Sequence, residues 1–164
     1  MIFKKILNKL FYSPYRVVKK NNTEILSGRT TILNKSFRLD IRQKNNHLRV
    51  NIGEGNNLSC NLILESNEGF IQIGNKCFIN GGTKIISRSS IVIGDFVTIA
   101  WNVTLYDHDS HSLNLLDRRA DIEQQLLQAR AGNSLITNKN WATVNSRPIK
   151  ICNDVWIGMN AIIL

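Results

Sequence analysis

Two prolines are all that 164 residues contain, and no serine- or glycine-rich tract interrupts the chain. That scarcity excludes a disordered polymer or a flexible linker protein. Cysteine is sparse too: Cys60, Cys77 and Cys152 stand apart in apolar surroundings, without CxxC spacing. Such a set reads as reduced, buried small hydrophobic residues, not as disulfides or a zinc site. Long apolar runs are missing as well. Lys4, Lys5 and Lys9 break up the segment from Met1 to Leu10, which therefore has neither a signal peptide's core nor the length of a membrane span. A cytoplasmic location is the expectation.

Acidic residues are in short supply, 12 against 21 basic ones, which leaves a net charge of +9. An anionic partner is one implication: nucleic acid, a membrane surface or a phosphorylated cofactor. A basic surface that only keeps the protein soluble is the other. No nucleic-acid motif and no interleaving of aromatic with basic residues accompanies the charge, so nucleic acid is not expected. The length suits one domain with a real core, and the 43% hydrophobic and 20% charged content is that of a globular protein.

The N-terminal apolar positions Ile2, Phe3, Ile6, Leu7 and Leu10 have helical spacing, and Pro14 is expected to end that helix. Packing on the rest of the protein is one use for it, and contact of residues 1–20 with an anionic membrane surface is another. Residues 23–50 read as short strands, for example Phe37 to Ile41, joined by polar turns such as Lys44-Asn45-Asn46.

From residue 50 a repeat sets in. Aliphatic residues recur every six positions at Ile52, Leu58 and Leu64, then at Ile73, Ile79, Ile85 and Ile91. After an offset of two come Ile93, Ile99 and Leu105, and later Ile151, Ile157 and Ile163. Glycine often follows the aliphatic residue, as at Gly53, Gly74, Gly94 and Gly158, and a small or β-branched residue often comes four after it, as at Cys77, Thr83, Val97, Val103, Val155 and Ala161.

Hexad periodicity predicts an all-β chain wound into a left-handed parallel β-helix. Each face of a triangular prism takes about six residues with its corner: one aliphatic residue inside, a small one where the wall bends, and Gly or Asn at the strained turn. A sandwich of alternating strands would repeat every two residues instead. The expected organisation is residues 1–49 as a helix and short strands, then residues 50–164 as the β-helix. A loop over 107–147 interrupts the latter and carries a helix near Asp117 to Ala131, closed by Gly132-Asn133. An excursion this long is usually functional.

That loop opens with Tyr106-Asp107-His108-Asp109-Ser110-His111-Ser112, which holds two of the three histidines. Histidine is the common general base near neutral pH, and a nearby carboxylate can orient its ring. A solvated polar loop is the plain alternative. His47 lies outside the repeat with nothing around it to assign a role.

The segments INGGTKI, IGDFVTIAWNVTLYD, DHDSHSLNLLDRR and RPIKICNDVWIGMNAIIL resemble the hexapeptide-repeat acetyltransferases, over roughly residues 50–164. The likeness is closest to sugar O-acetyltransferases of surface-polysaccharide synthesis and to maltose and galactoside acetyltransferases. It implies a homotrimer that moves acetyl from acetyl-CoA to a sugar hydroxyl, with no metal required and a histidine as base. On that resemblance His111 is the first choice for the base and His108 the second. Asn80, Asp107 and Asp109 are implied to hold the acceptor, and Trp156, Gly158 and Met159 to line the cofactor groove. Relatives continue for several more coils past the position of Leu164, so the resemblance also implies a shortened C-terminus. Two other readings stand beside the transferase. One is a truncated, inactive scaffold. The other is a metalloenzyme like the γ-type carbonic anhydrases, with His108, His111 and His47 converging on a metal.

Overall fold

A computed structural model describes residues 12–164 of the chain. Among these residues, fifteen short strands wind through three parallel sheets, each of five strands. The first face stacks β1 (Ile25–Ser27), β4 (Val50–Ile52), β7 (Phe70–Ile73), β10 (Ser90–Ile93) and β13 (Ile149–Ile151). The second stacks β2 (Ile32–Leu33), β5 (Asn57–Leu58), β8 (Phe78–Ile79), β11 (Thr98–Ile99) and β14 (Trp156–Ile157). The third stacks β3 (Arg38–Ile41), β6 (Asn61–Leu64), β9 (Lys84–Ser87), β12 (Thr104–Tyr106) and β15 (Ile162–Ile163). Successive strands lie on successive faces, which is the parallel β-helix expected from the hexads.

The repeat maps onto columns of like residues inside the prism. Leu33, Leu58, Ile79, Ile99 and Ile157 stack on one another along the second face. Leu39, Leu62, Ile85, Leu105 and Ile163 do so along the third. The first face carries two columns, one through Val50, Ile71, Ile91 and Ile149, the other through Ile52, Ile73, Ile93 and Ile151. Its longer strands point two residues inward with one outward between them. The two-residue offset between Ile91 and Ile93 is therefore a feature of that face, not a break in the coil. Of the aliphatic hexad positions, all but Ile163 are buried, and the small residues Cys77, Thr83, Val97 and Val103 are buried beside them.

The corners follow the same logic. Gly82, Asn102 and Asn160 hold positive φ at the turn from the second to the third face (75°, 59° and 62°), where Gly and Asn are least strained. At the turn from the first to the second face, the left-handed residues are Gly55, Lys76, Phe96 and Asp154.

One expectation changes. The same three sheets reach back to Ile25, so residues 25–41 supply the first strand of each face and residue 50 marks no structural boundary. Pro14 opens a helix, α1 (Pro14–Lys20), because proline's fixed φ and missing N–H suit a helix's first turn. The apolar-lysine pattern of residues 1–10 lies outside the described residues. Among the described residues no helix is long and apolar enough to cross a membrane.

One interruption breaks the winding. Asn75 and Asp95, on neighbouring rungs, are 20 residues apart, whereas Asp95 and Asn153, also on neighbouring rungs, are 58 apart. The surplus is the insertion between β12 and β13. It carries α2 (Leu115–Arg130), where the sequence predicted a helix, and one tight helical turn, Trp141–Thr143.

Candidate functional site

The chain leaves the wall after Tyr106, and Asp107 pins the exit. Its side chain is buried; one oxygen accepts from the Arg88 backbone N–H at 2.8 Å, the other from Ser87 Oγ at 2.7 Å and the Ser89 N–H at 2.9 Å. The returning strand closes on the outgoing one. Arg147 N–H donates to the Asp107 carbonyl at 2.9 Å, Asp109 N–H donates to the Asn145 carbonyl at 3.0 Å, and His108 and Ser146 form an antiparallel bridge. The insertion thus starts and ends at one point on the prism. Its neck borders a recess of about 450 Å³, lined by Tyr106, His108 and Asp109 on the way out, Asn145 and Arg147 on the way back, and Leu164.

The two loop histidines have opposite surroundings. The His108 ring is wholly buried, edge-on to Tyr106 and to Trp141. Its Nδ1 accepts the Ser110 N–H at 3.0 Å, so the neutral ring carries its proton on Nε2. That Nε2 has no hydrogen-bond partner, and Glu65 Oε2 lies 3.4 Å away. Burial drives the His108 pKa down to about 4, with Arg88 and Lys139 pushing the same way and Asp107 and Asp109 opposing. Burial also raises the Glu65 pKa, against the nearby cations Arg42 and Lys139. In this arrangement His108 is a buried neutral donor, and its one lone pair is taken by Ser110.

His111 is built the other way. Its side chain is 37% exposed, and Nδ1 meets Asp121 Oδ2 at 2.5 Å. Burial opposes charge on Asp121, but hydrogen bonds from Lys139 and His111 outweigh it and hold the carboxyl below its ordinary pKa. An ionised carboxylate can only accept, so His111 donates from Nδ1, and in the neutral ring the lone pair is then on Nε2. A neutral imidazole in this tautomer is ready to take a proton.

Helix α2 supplies the carboxylate by simple periodicity. Asn114 caps its first turn, accepting from the N–H groups of Leu116 and Asp117. Asp117 and Asp121, four residues apart, share one face: Asp117 accepts from Ser112 Oγ at 3.1 Å and Asp121 meets His111. Arg118 adds bonds to the Ser112 and Leu113 carbonyls. Asp121, Lys139, Glu65 and Trp141 all escape a reading of the sequence, because the folded insertion is what brings them to the histidines.

The remaining candidates lie elsewhere on the prism. Asn80 sits at the corner between the second and third faces, its amide donating to the Ile99 carbonyl at 3.1 Å. Gly158 and Met159 lie on that same corner, above Ala100 and Trp101. Trp156 points outward from β14 and is 75% exposed; Met159 and Trp101 are exposed as well. A single chain therefore separates this corner from the one that carries Asp107, His108, Asp109 and His111. Asp107 spends its carboxylate on the corner below, while Asp109 is exposed at the neck and accepts from Asn145 Nδ2 at 3.1 Å. Among the described residues no three His, Cys, Asp or Glu side chains group as metal ligands.

The depressed His108 pKa sets a pH dependence. The folded value lies below the unfolded one, near 6.5, so the unfolded chain binds the extra proton between the two. Stability that rests on neutral His108 is complete above about pH 6.5 and drains as pH falls through about 4. From pH 7 to 4, wild type is expected to lose about 2 kcal/mol more than His108→Gln in urea unfolding. Equal losses would mean that the ring is not held neutral.

Comparison with family models, curated proteins and solved structures finds no match to this chain.

Proposed function

We propose that the protein is an acyltransferase that moves an acetyl group from acetyl-CoA to a sugar hydroxyl, with His111 as general base. The observation that carries this reading is the Asp121–His111 pair near the start of the insertion, which leaves Nε2 of a partly exposed ring as the nitrogen that can accept a proton. The acceptor hydroxyl oxygen attacks the thioester carbonyl while its proton passes to His111 Nε2. The tetrahedral adduct then expels the CoA thiolate, and the imidazolium returns the proton to sulfur. A thioester is already activated, so a base and correct placement are the main needs, and the base is worth about 10²–10⁴-fold.

The exposed apolar surface of Trp156, Met159 and Trp101 fits the apolar arm and base of an acyl-CoA. That surface and His111 occupy different corners of one chain. A homotrimer, with one protomer's Trp156 corner set against the next protomer's insertion, would bring them together. The neck recess, with Asp109, Asn145 and Arg147, offers polar groups suited to a hydroxyl-rich acceptor. The test is release of CoA thiol from acetyl-CoA across a panel of sugar and nucleotide-sugar acceptors, with mass spectrometry of the product. Acceptor-dependent thiol release with an acetylated sugar supports the reading. Absence of both, together with no acetyl-CoA binding by calorimetry, overturns it in favour of a scaffold.

A further inference from the structure

Lys139 is buried in the insertion, its side chain only 3% exposed, and its ammonium lies 2.5 Å from Asp121 Oδ2, the same oxygen that His111 Nδ1 approaches. Buried lysines are rare unless paired, and a lone buried ammonium would be costly. Nothing in the helix itself holds the Asp121 side chain, and its other oxygen, Oδ1, is buried without a partner. The carboxylate is therefore fixed by two donors on one oxygen: Lys139 from the segment after α2, and His111 from the segment before it.

We propose that Lys139 is a positioning residue that acts through Asp121, holding the carboxylate ionised and aimed so that His111 stays in its Nδ1–H tautomer with Nε2 outward. This rests on the assignment of His111 as the base. Its logic is electrostatic. A carboxylate without the ammonium would be a partly buried, poorly matched anion, free to take a proton or to turn toward solvent. Either change removes the acceptor that selects the tautomer. The other charged groups around the pair are Asp117 and Arg118 of α2, both engaged with the Ser112 segment, Asp109 of the same loop, engaged with Asn145, and Glu65 of the prism wall, paired with Arg42. None of them makes a hydrogen bond to Asp121. Trp141, its ring centroid 5.2 Å from the Lys139 ammonium, walls the lysine in and favours the cation.

A merely structural lysine would also tie the insertion together, so the test needs a readout that fold integrity does not move. Nitrogen NMR of ring-labelled wild-type protein is expected to show neutral His111 as the Nδ1–H tautomer. Lys139→Met and Asp121→Asn should shift it toward the common Nε2–H form, and Lys139→Arg should restore it. In turnover, Lys139→Met should lower kcat about tenfold with the KM for acetyl-CoA unchanged, and Asp121→Asn should lower it further, as loss of an orienting carboxylate does in other histidine-dependent enzymes. Circular dichroism and thermal unfolding identify any variant that has lost the insertion; Lys139→Gln then serves in place of Met. A folded Lys139→Met that keeps the Nδ1–H tautomer overturns the proposal. The NMR result needs no turnover, so it judges Lys139 even if wild type transfers no acetyl group, an outcome that would sink the functional reading alone.

Discussion

His111→Ala is expected, on the proposed acyltransferase reading, to lower kcat for acetyl transfer by about 10²–10⁴-fold while leaving the fold and acetyl-CoA binding intact. The size follows from the role. Without the ring, the acceptor hydroxyl must lose its proton to water, and the thioester waits on a poor nucleophile. The fold should survive because His111 is more than one-third exposed and Lys139 still holds Asp121 when the ring is gone. A steady-state assay read against a thermal unfolding curve separates the two effects: kcat collapses and the melting midpoint barely moves.

The same assay decides between the histidines. His108 has the recess but not the chemistry, since Ser110 occupies its lone pair and its other nitrogen is enclosed. His108→Gln should retain turnover to the extent that the neck keeps its shape. Should His108→Gln be folded and inactive while His111→Ala turns over normally, the base would be His108. The insertion would then have to move Trp141 and Tyr106 aside to expose it.

The prism was legible from residue 50 onward because its inward positions obey one rule, an aliphatic side chain per face, and stacking enforces the same rule on every rung. The first rung hid from that rule. Ile25 pairs with Val50 and Leu33 with Leu58, 25 residues apart, so the polar corners of this rung are longer than six-residue spacing allows. Burial, not spacing, reveals it: Ile25, Leu33 and Phe37 are in the core. The site was half legible. His108 and His111 stood out as a cluster, but two residues of sequence separate them into opposite environments, and no periodic rule governs a loop. What distinguishes them is tertiary: the turn that points Ser110 N–H at one ring, and the helix face that brings Asp121 to the other.

Asp107 shows how far a sequence motif and a structure can differ in what they ask of one side chain. Beside His108 it resembled an acceptor ligand. In the structure its carboxylate takes three donors from Ser87, Arg88 and Ser89, and its backbone receives the Arg147 N–H. Asp107→Ala is therefore expected to cost about 3 kcal/mol in urea unfolding, because hydrogen bonds to a charged acceptor are lost and the freed N–H groups lie at a packed corner. Asp107→Asn keeps one accepting oxygen and should recover roughly half of that loss. The injury should not stop at stability. This corner anchors both ends of the insertion, so a loosened neck lets His111 and Asp121 drift together relative to the prism, and kcat should fall while the pair itself stays formed. If Asp107→Asn instead unfolds like wild type but raises the KM for the sugar, the carboxylate is free to meet the acceptor, and the corner must be held by the β12–β9 pairing alone.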